Sequence, residues 1–266
     1  MTLAKTVDLD LQRSSGAVHL AIDGKGALKR LREEGCSKLR MPARLAGHPI
    51  EAVLINTSGG LAGGDRIDID VEAAGNLCVT TQAAEKIYPS LGSETRVATR
   101  IEVDDCAKLL WLPQEAILFD GARLRRSFEA EIACGATLLA VESVVLGRKA
   151  MGEQLADFSF RDRWRIRRGG QLVFADDVHL DQVRAKGAAC VHGAGAMAMI
   201  VVIAAGAEDF LEPLRNLIGA RGGVSAWDGK LVARLIAADG HNLRKTLIPA
   251  LGLLAAPMEL PKVWTL

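Results

Sequence analysis

Apolar and charged residues alternate with a period of two along much of the first two-thirds of the chain. Ile67, Ile69 and Val71 alternate with Asp68, Asp70 and Glu72, and Val97, Ile101 and Val103 with Arg96, Arg100 and Glu102. That period predicts strands with one buried face. Phe158 and Phe160 lead to Trp164 and Ile166, with Arg163, Arg165 and Arg167 between them. Arg168-Gly169-Gly170-Gln171 then turns into Leu172-Val173-Phe174, which predicts a hairpin. The simplest reading of its arginines is a solvated strand face.

The pattern also repeats. Gly75–Gln82 can be laid over Ala107–Gln114, and both over Gly135–Glu142, at offsets of 32 and 28 residues. Each copy follows an acidic-apolar strand, opens on a small residue, runs on as a mostly apolar strand and ends on Gln or Glu. Periods of this size suggest stacked supersecondary units, so a β-solenoid or an elongated β-sandwich is expected. An ordinary β-meander would give three imperfect copies as well.

The last third changes character. Ala196–Ala204 is a continuous apolar run suited to a strand buried on both faces. Glu208 and Asp209 open a helix carrying Phe210, Leu211, Leu214, Leu217 and Ile218, which Gly219 can end. Trp227-Asp228-Gly229-Lys230 turns into a strand over Leu231–Ile236. Asp239 caps a second helix with Leu243, Leu247, Leu251 and Leu254 at helical spacing. Leu214 and Leu247 could face a partner instead of a core. Pro257 and Pro261 predict an extended tail. With no low-complexity linker, residues 1–266 read as one domain, mainly β, an irregular solenoid-like stack with two C-terminal helices.

Composition narrows the function. The chain has 33 basic and 32 acidic residues among 266, and only 4% aromatics, which argues against a nucleic-acid binder. Five scattered cysteines without a C-x-x-C motif suggest a reducing compartment. The opening Met1-Thr2-Leu3-Ala4-Lys5 leads to Asp8 and Asp10 and not to an apolar signal core. The longest apolar run, Ala194–Ala207, is shorter than the roughly 20 residues that span a bilayer. A cytoplasmic protein is expected.

The chemistry-bearing candidates are few. The run Asn56-Thr57-Ser58-Gly59-Gly60-Leu61-Ala62-Gly63-Gly64-Asp65 has four glycines in six positions. It lacks the ending of a P-loop and does not fit G-x-G-x-x-G, and Asp65 would repel a phosphate. It reads as a tight turn that shapes the backbone for a partner or a pore. His19, His48, His179, His192 and His241 are isolated, with no zinc-type cluster, and no nucleophile motif is present. What remains is a set of carboxylates and amides at strand ends: Asp65, Gln82, Glu85, Gln114, Glu115, Asp120, Glu142 and Glu153. If the repeat stacks as aligned, Gln82, Gln114 and Glu142 line one channel or edge. Oxygen donors hold divalent ions weakly and exchange them readily, which suits passage better than storage. Pairing of these carboxylates with nearby arginines is the simpler alternative.

Several of these segments together resemble the UreD (UreH) family of urease accessory proteins. They are Ser58-Gly59-Gly60-Leu61-Ala62-Gly63-Gly64-Asp65 and Thr80-Thr81-Gln82-Ala83-Ala84-Glu85-Lys86-Ile87-Tyr88. Trp111-Leu112-Pro113-Gln114-Glu115 with Phe119-Asp120-Gly121-Ala122, and Leu146-Gly147-Arg148-Lys149-Ala150-Met151-Gly152-Glu153, come next. The tail Leu260-Pro261-Lys262-Val263-Trp264 is similar too. The lead-in Ile55-Asn56-Thr57-Ser58 departs from the family pattern, as does Pro89 after Tyr88, where an arginine is usual.

The resemblance implies a non-catalytic scaffold that binds apo-urease with UreF and UreG. It implies delivery of nickel to the urease active site through an internal tunnel, with nickel in transit and no tightly bound cofactor. Asp65, Glu142 and Glu153 are the first candidates for that path, followed by Glu115 and Asp120, with Gln82 beside them. The rival reading is a metal-dependent hydrolase or transferase with an acidic site. A plain β-solenoid binding module is a third option.

Overall fold

The computed structural model describes residues 12–43, 49–148, 151–153, 155–187 and 190–265. The acidic lead-in up to Asp10, His48, and Lys149-Ala150 of the fourth motif lie outside the described residues.

The strands form two open sheets. Sheet A contains β1 (Ser15–Ile22), β2 (Leu28–Gly35), β5 (Arg66–Ala73), β8 (Thr95–Val103), β11 (Arg123–Ile132), β13 (Ser159–Arg168) and β14 (Gln171–Asp181). Its order is β14-β13-β11-β8-β5-β1-β2, parallel from β13 to β1 and closed at each edge by an antiparallel hairpin. Sheet B has as its main path β16 (Gly222–Trp227), β17 (Lys230–Ala237), β15 (Ala196–Ile203), β12 (Thr137–Leu146), β9 (Lys108–Leu112), β6 (Leu77–Thr81), β4 (Ile50–Asn56) and β3 (Ser37–Arg40). Two short strands extend it, β7 (Glu85–Ile87) and β10 (Ala116–Leu118), with β10 paired to both β7 and β12. The chain is mainly β, as its alternation predicts.

Alternation fixes which face each strand buries. Along β5, Ile67, Ile69, Val71 and Ala73 are buried and the charged residues between them are not. The predicted hairpin is β13–β14, whose two-residue loop puts Gly169 and Gly170 at φ +55° and +80°, conformations that glycine supplies at little cost. The strands of sheet B read as continuous apolar runs because both their faces are covered. Leu77, Val79, Leu109, Trp111, Leu138 and Ala140 face sheet A, while Cys78, Leu110, Leu112, Leu139 and Val141 face the helices.

Among the described residues four α-helices form, not two. α1 (Gln182–Lys186) follows β14, and α2 (Leu211–Ile218) and α3 (Gly240–Ala255) cover sheet B. Asp239 caps α3 by accepting from the Asn242 N–H at 2.8 Å. Leu214 and Leu247 are core residues, fully buried against sheet B, so they form no partner surface. The tail is also not extended: α4 (Lys262–Thr265) folds back so that Trp264 is completely buried. Its indole N–H donates to the Leu112 carbonyl at 2.9 Å, a site that only tertiary contact provides.

The repeat is real in one step and slips in the other. β6 pairs with β9 at the expected offset of 32, with Leu77 opposite Leu109 and Val79 opposite Trp111. β9 pairs with β12 one residue away from the aligned 28, with Leu109 opposite Leu138 and Trp111 opposite Ala140. A one-residue slip reverses the face on which every side chain lies. Gln114 and Glu142 are therefore not equivalent. Gln114 turns to Arg244 of α3, while Glu142 enters the space between the sheets.

Among the described residues no helix is long and apolar enough to cross a membrane. All five cysteines are free thiols, and burial pushes that of Cys78 up.

Candidate functional site

The glycine run and the segments after β6, β9 and β12 meet at one end of sheet B. Leu61 bridges to Ile87: the Leu61 N–H donates to the Lys86 carbonyl at 2.8 Å and the Tyr88 N–H to the Leu61 carbonyl at 2.7 Å. The Phe119 N–H donates to the Ile87 carbonyl at 3.0 Å, and the Gly147 N–H to the Leu118 carbonyl at 2.8 Å. Backbone hydrogen bonds thus run unbroken from the first motif through the second and third to the fourth.

Glycine is required here for space as well as for conformation. Gly60 sits at φ +144°, and a Cβ on it would lie 2.4 Å from Tyr88 Cε2 and 2.9 Å from the Lys86 carbonyl. A Cβ on Gly63 would meet the Ser90 hydroxyl at 2.0 Å and the Ser93 carbonyl at 2.5 Å. Two backbones pack against each other closely enough to exclude any side chain.

Between the glycine turn and Gln82–Lys86 lies a cleft of about 220 Å³, floored by Val18, Ile67 and Ile69. Glu85 lines it. Its two oxygens accept from the Asn56 amide at 3.0 and 3.1 Å. Asn56 is itself oriented, since its carbonyl oxygen accepts from the Ser58 N–H at 2.9 Å and lies 2.6 Å from the Ser58 hydroxyl. Burial raises the Glu85 carboxyl to about 7, and the hydrogen bond from neutral Asn56 offsets only part of that. Glu85 therefore changes charge close to neutrality. Gln82 is exposed at the rim.

The other carboxylates singled out in the sequence do not converge. Asp65 is buried and staples the glycine run: it accepts from the Ser14 N–H and the Ala62 N–H, each at 2.8 Å. Glu115 accepts from Arg244 at 3.2 Å, and the same guanidinium donates to Gln114 at 2.6 Å and lies 5.1 Å from the Trp264 ring. Asp120 accepts from the Ala156 and Asp157 N–H groups at 2.6 and 2.9 Å. Glu153 takes two oxygens' worth of contacts from Arg148, which holds its carboxyl down to about 2. Arg148 also stacks 4.2 Å from the Phe119 ring, which packs edge-on against Tyr88. The cluster around Tyr88 thus receives a guanidinium from Arg148, although Pro89 occupies the usual arginine position. Among the described residues no three His, Cys, Asp or Glu side chains stand close enough to hold a metal ion.

Glu142 belongs to a buried network that the sequence reading did not find. Arg126 forks onto Asp162 at 2.6 and 3.1 Å, and its remaining nitrogen donates to Glu142. The Trp111 indole N–H donates to Glu142 at 2.9 Å and the Trp164 indole to Asp162 at 3.1 Å. All three charged residues are less than a tenth exposed. Two carboxylates face one guanidinium, and burial together with the Asp162 charge pushes the Glu142 carboxyl up despite Arg126. A signal was present: Arg126 shares parity with Leu124 and Phe128, and Asp162 with Phe160 and Trp164, so both are charges on inward positions.

The fold and this end of it define a β-rich protein whose distinctive residues tie loops together, with no three metal-ligating side chains gathered among the described residues. Residues 12–265 match the model of the UreD urease accessory protein family. A urease accessory protein UreD of Rhizobium leguminosarum bv. viciae is 47% identical over 264 residues, covering 96% of each chain. Another from Mesorhizobium japonicum is 43% identical over 267 residues, covering 96% of this chain and 95% of its own. Urease accessory protein UreD 1 of Brucella abortus biovar 1 is 43% identical over 270 residues, covering 97% and 96%. The chain belongs to the UreD family of urease accessory proteins, and these are accessory proteins and not enzymes.

Proposed function

We propose that the chain is a cytoplasmic scaffold of urease maturation that binds apo-urease together with UreF and UreG and passes nickel to it as cargo. The observation that supports this reading is that backbone hydrogen bonds join the four family motifs into one unit, whose first two motifs line a cleft with Glu85. A carboxyl that ionises near 7 can exchange a proton for a divalent cation at neutral pH.

Nickel passes along Asp65, Glu115, Asp120, Glu142 and Glu153, with Glu85 added at the cleft. Each of the five already has partners, either backbone N–H groups or a guanidinium. An ion must displace them, so it is held briefly, as transit requires. Asp65 and Glu142 are the buried members and the rest lie nearer the surface.

The test is reconstitution of urease from apo-urease, UreF, UreG, nickel and bicarbonate, with and without this chain. Activation that requires the chain, and falls in Glu85→Gln while the complex still forms, supports the scaffold and the path. A chain that binds none of the three proteins refutes the scaffold; full nickel loading with Glu85→Gln refutes the role of the cleft alone.

A further inference from the structure

The outward face of sheet A carries a row of basic residues, four of them arginines. Arg66, Arg96, Arg125, Arg161 and His179 occupy directly paired positions on β5, β8, β11, β13 and β14. Neighbouring strands lie about 4.8 Å apart, so the row runs for roughly 19 Å. Like charges side by side on one face are unfavourable.

The compensation is incomplete. Asp68 pairs with Arg66 at 2.5 Å and Glu94 with Arg125 at 2.7 Å. Among the described residues Arg96, Arg161 and, one row on, Arg163 have no carboxylate within ion-pair distance, and all three are exposed. Beside Arg163 in that next row the register places Ala98 and Ser127, whose small side chains leave a groove of about 580 Å³, with Asp68 and Asp177 at the ends of the row. Arg66, Arg96, Arg125, Arg161 and Arg163 line the groove, with Glu129 and Asp177 as exposed carboxylates on its wall.

We infer that this groove docks an extended, acidic polypeptide segment of a partner protein. Guanidinium groups are planar forks matched to carboxylates. Their charges are spread along a line and do not converge on a point, as a phosphate would need. At roughly 3.3 Å per residue, the row matches an extended segment of about six residues. The far end of the same face excludes nucleic acid: Glu72, Glu102 and Glu131 are also directly paired there, and would repel a phosphate backbone. That polarity, basic at one end and acidic at the other, gives a bound segment one orientation. The assignment does not depend on nickel or on the Glu85 cleft.

The test uses the full chain and a fluorescein-labelled, end-capped hexaglutamate peptide, titrated by anisotropy at low salt of about 50 mM. Arg96→Glu with Arg161→Glu should weaken binding about tenfold or more. Lys29→Glu with Arg30→Glu, an equal charge change on exposed β2, should change it by less than about twofold. Arg96→Gln with Arg161→Gln should also lose binding while melting close to the parent, which separates binding from folding. Neither arginine has a carboxylate within ion-pair distance among the described residues, and their mutual repulsion is lost together with a longer-range attraction to Glu94. Equal losses in both Glu pairs, or no hexaglutamate binding by the parent, would overturn the inference. So would tripolyphosphate displacing the peptide at lower charge concentration, which would mark a small-anion site.

Discussion

Arg126 of β11 and Glu142 of β12 meet in the space between the two sheets, and their ion pair is a buried polar link within a mainly apolar interface. Asp162 shares the same guanidinium, so two buried carboxyl groups face one cation.

Removing the cation should be far worse than removing one anion. Arg126→Met leaves two buried carboxyl groups with indole donors but no cation and should cost about 3–5 kcal/mol. Glu142→Gln leaves the Arg126–Asp162 pair neutral and should cost about 1–3 kcal/mol, for one weakened hydrogen-bond network. Urea unfolding of both variants checks the order. Equal losses would mean the charge balance is unimportant.

Stability should fall as pH rises through the Glu85 titration. The folded carboxyl ionises at about 7 against 4.5 ordinarily, so the folded state binds more protons than the unfolded state between those values. Its neutral form is favoured at low pH, and ionisation in the cleft opposes folding at high pH. Glu85→Gln should therefore stabilise the protein at pH 8 by on the order of 1–3 kcal/mol and have little effect near pH 4.5. A gain independent of pH would show that burial does not control this group.

Glu153 has the opposite sign. Arg148 holds its carboxyl at about 2, so this contribution to stability is present above the ordinary 4.5 and is lost as pH falls toward 2. In Arg148→Ala the Glu153 carboxyl should return toward the ordinary range, which a carbon-detected NMR titration would read directly. A carboxyl still at about 2 would point to the Arg148 and Asp120 N–H groups instead.

Two neighbouring glycines should respond unequally. Gly59 has φ +77° with open space around it, so Gly59→Ala should cost about 1 kcal/mol of backbone strain. Gly60→Ala adds a collision with Tyr88 and with the Lys86 backbone, and should cost clearly more, about 2 kcal/mol or above. Thermal melts of the two variants would rank them.

Much of the strand content was legible because alternation is a local signal. Ile67, Ile69 and Val71 declare a buried face whatever lies across from it. The β13–β14 hairpin and the cap at Asp239 were equally local. The register of β12 was not: the repeat aligned Glu142 with Gln114, and a single residue separates that from the pairing observed. Sequence similarity between successive strands leaves a one-residue slip open, whereas side-chain packing on both faces of sheet B does not. The tail was misread for a related reason, since two prolines predict extension but Trp264 gains a buried site and a carbonyl only when α3 and β9 are in place.

The sequence by itself determined the β-rich class, the glycine turn, the two longer helices over the last third and the family. Each rests on periodicity, backbone conformation or motif order, all written in neighbouring residues. The tertiary structure alone decided which carboxylates are engaged and by what. Asp65 holds backbone, Glu142 and Asp162 share Arg126, and burial raises the Glu85 carboxyl despite hydrogen bonds from the Asn56 amide and the Lys86 backbone. Ionisation and pairing depend on burial and on groups as far as 51 residues away in the chain, and folding is what brings those groups together.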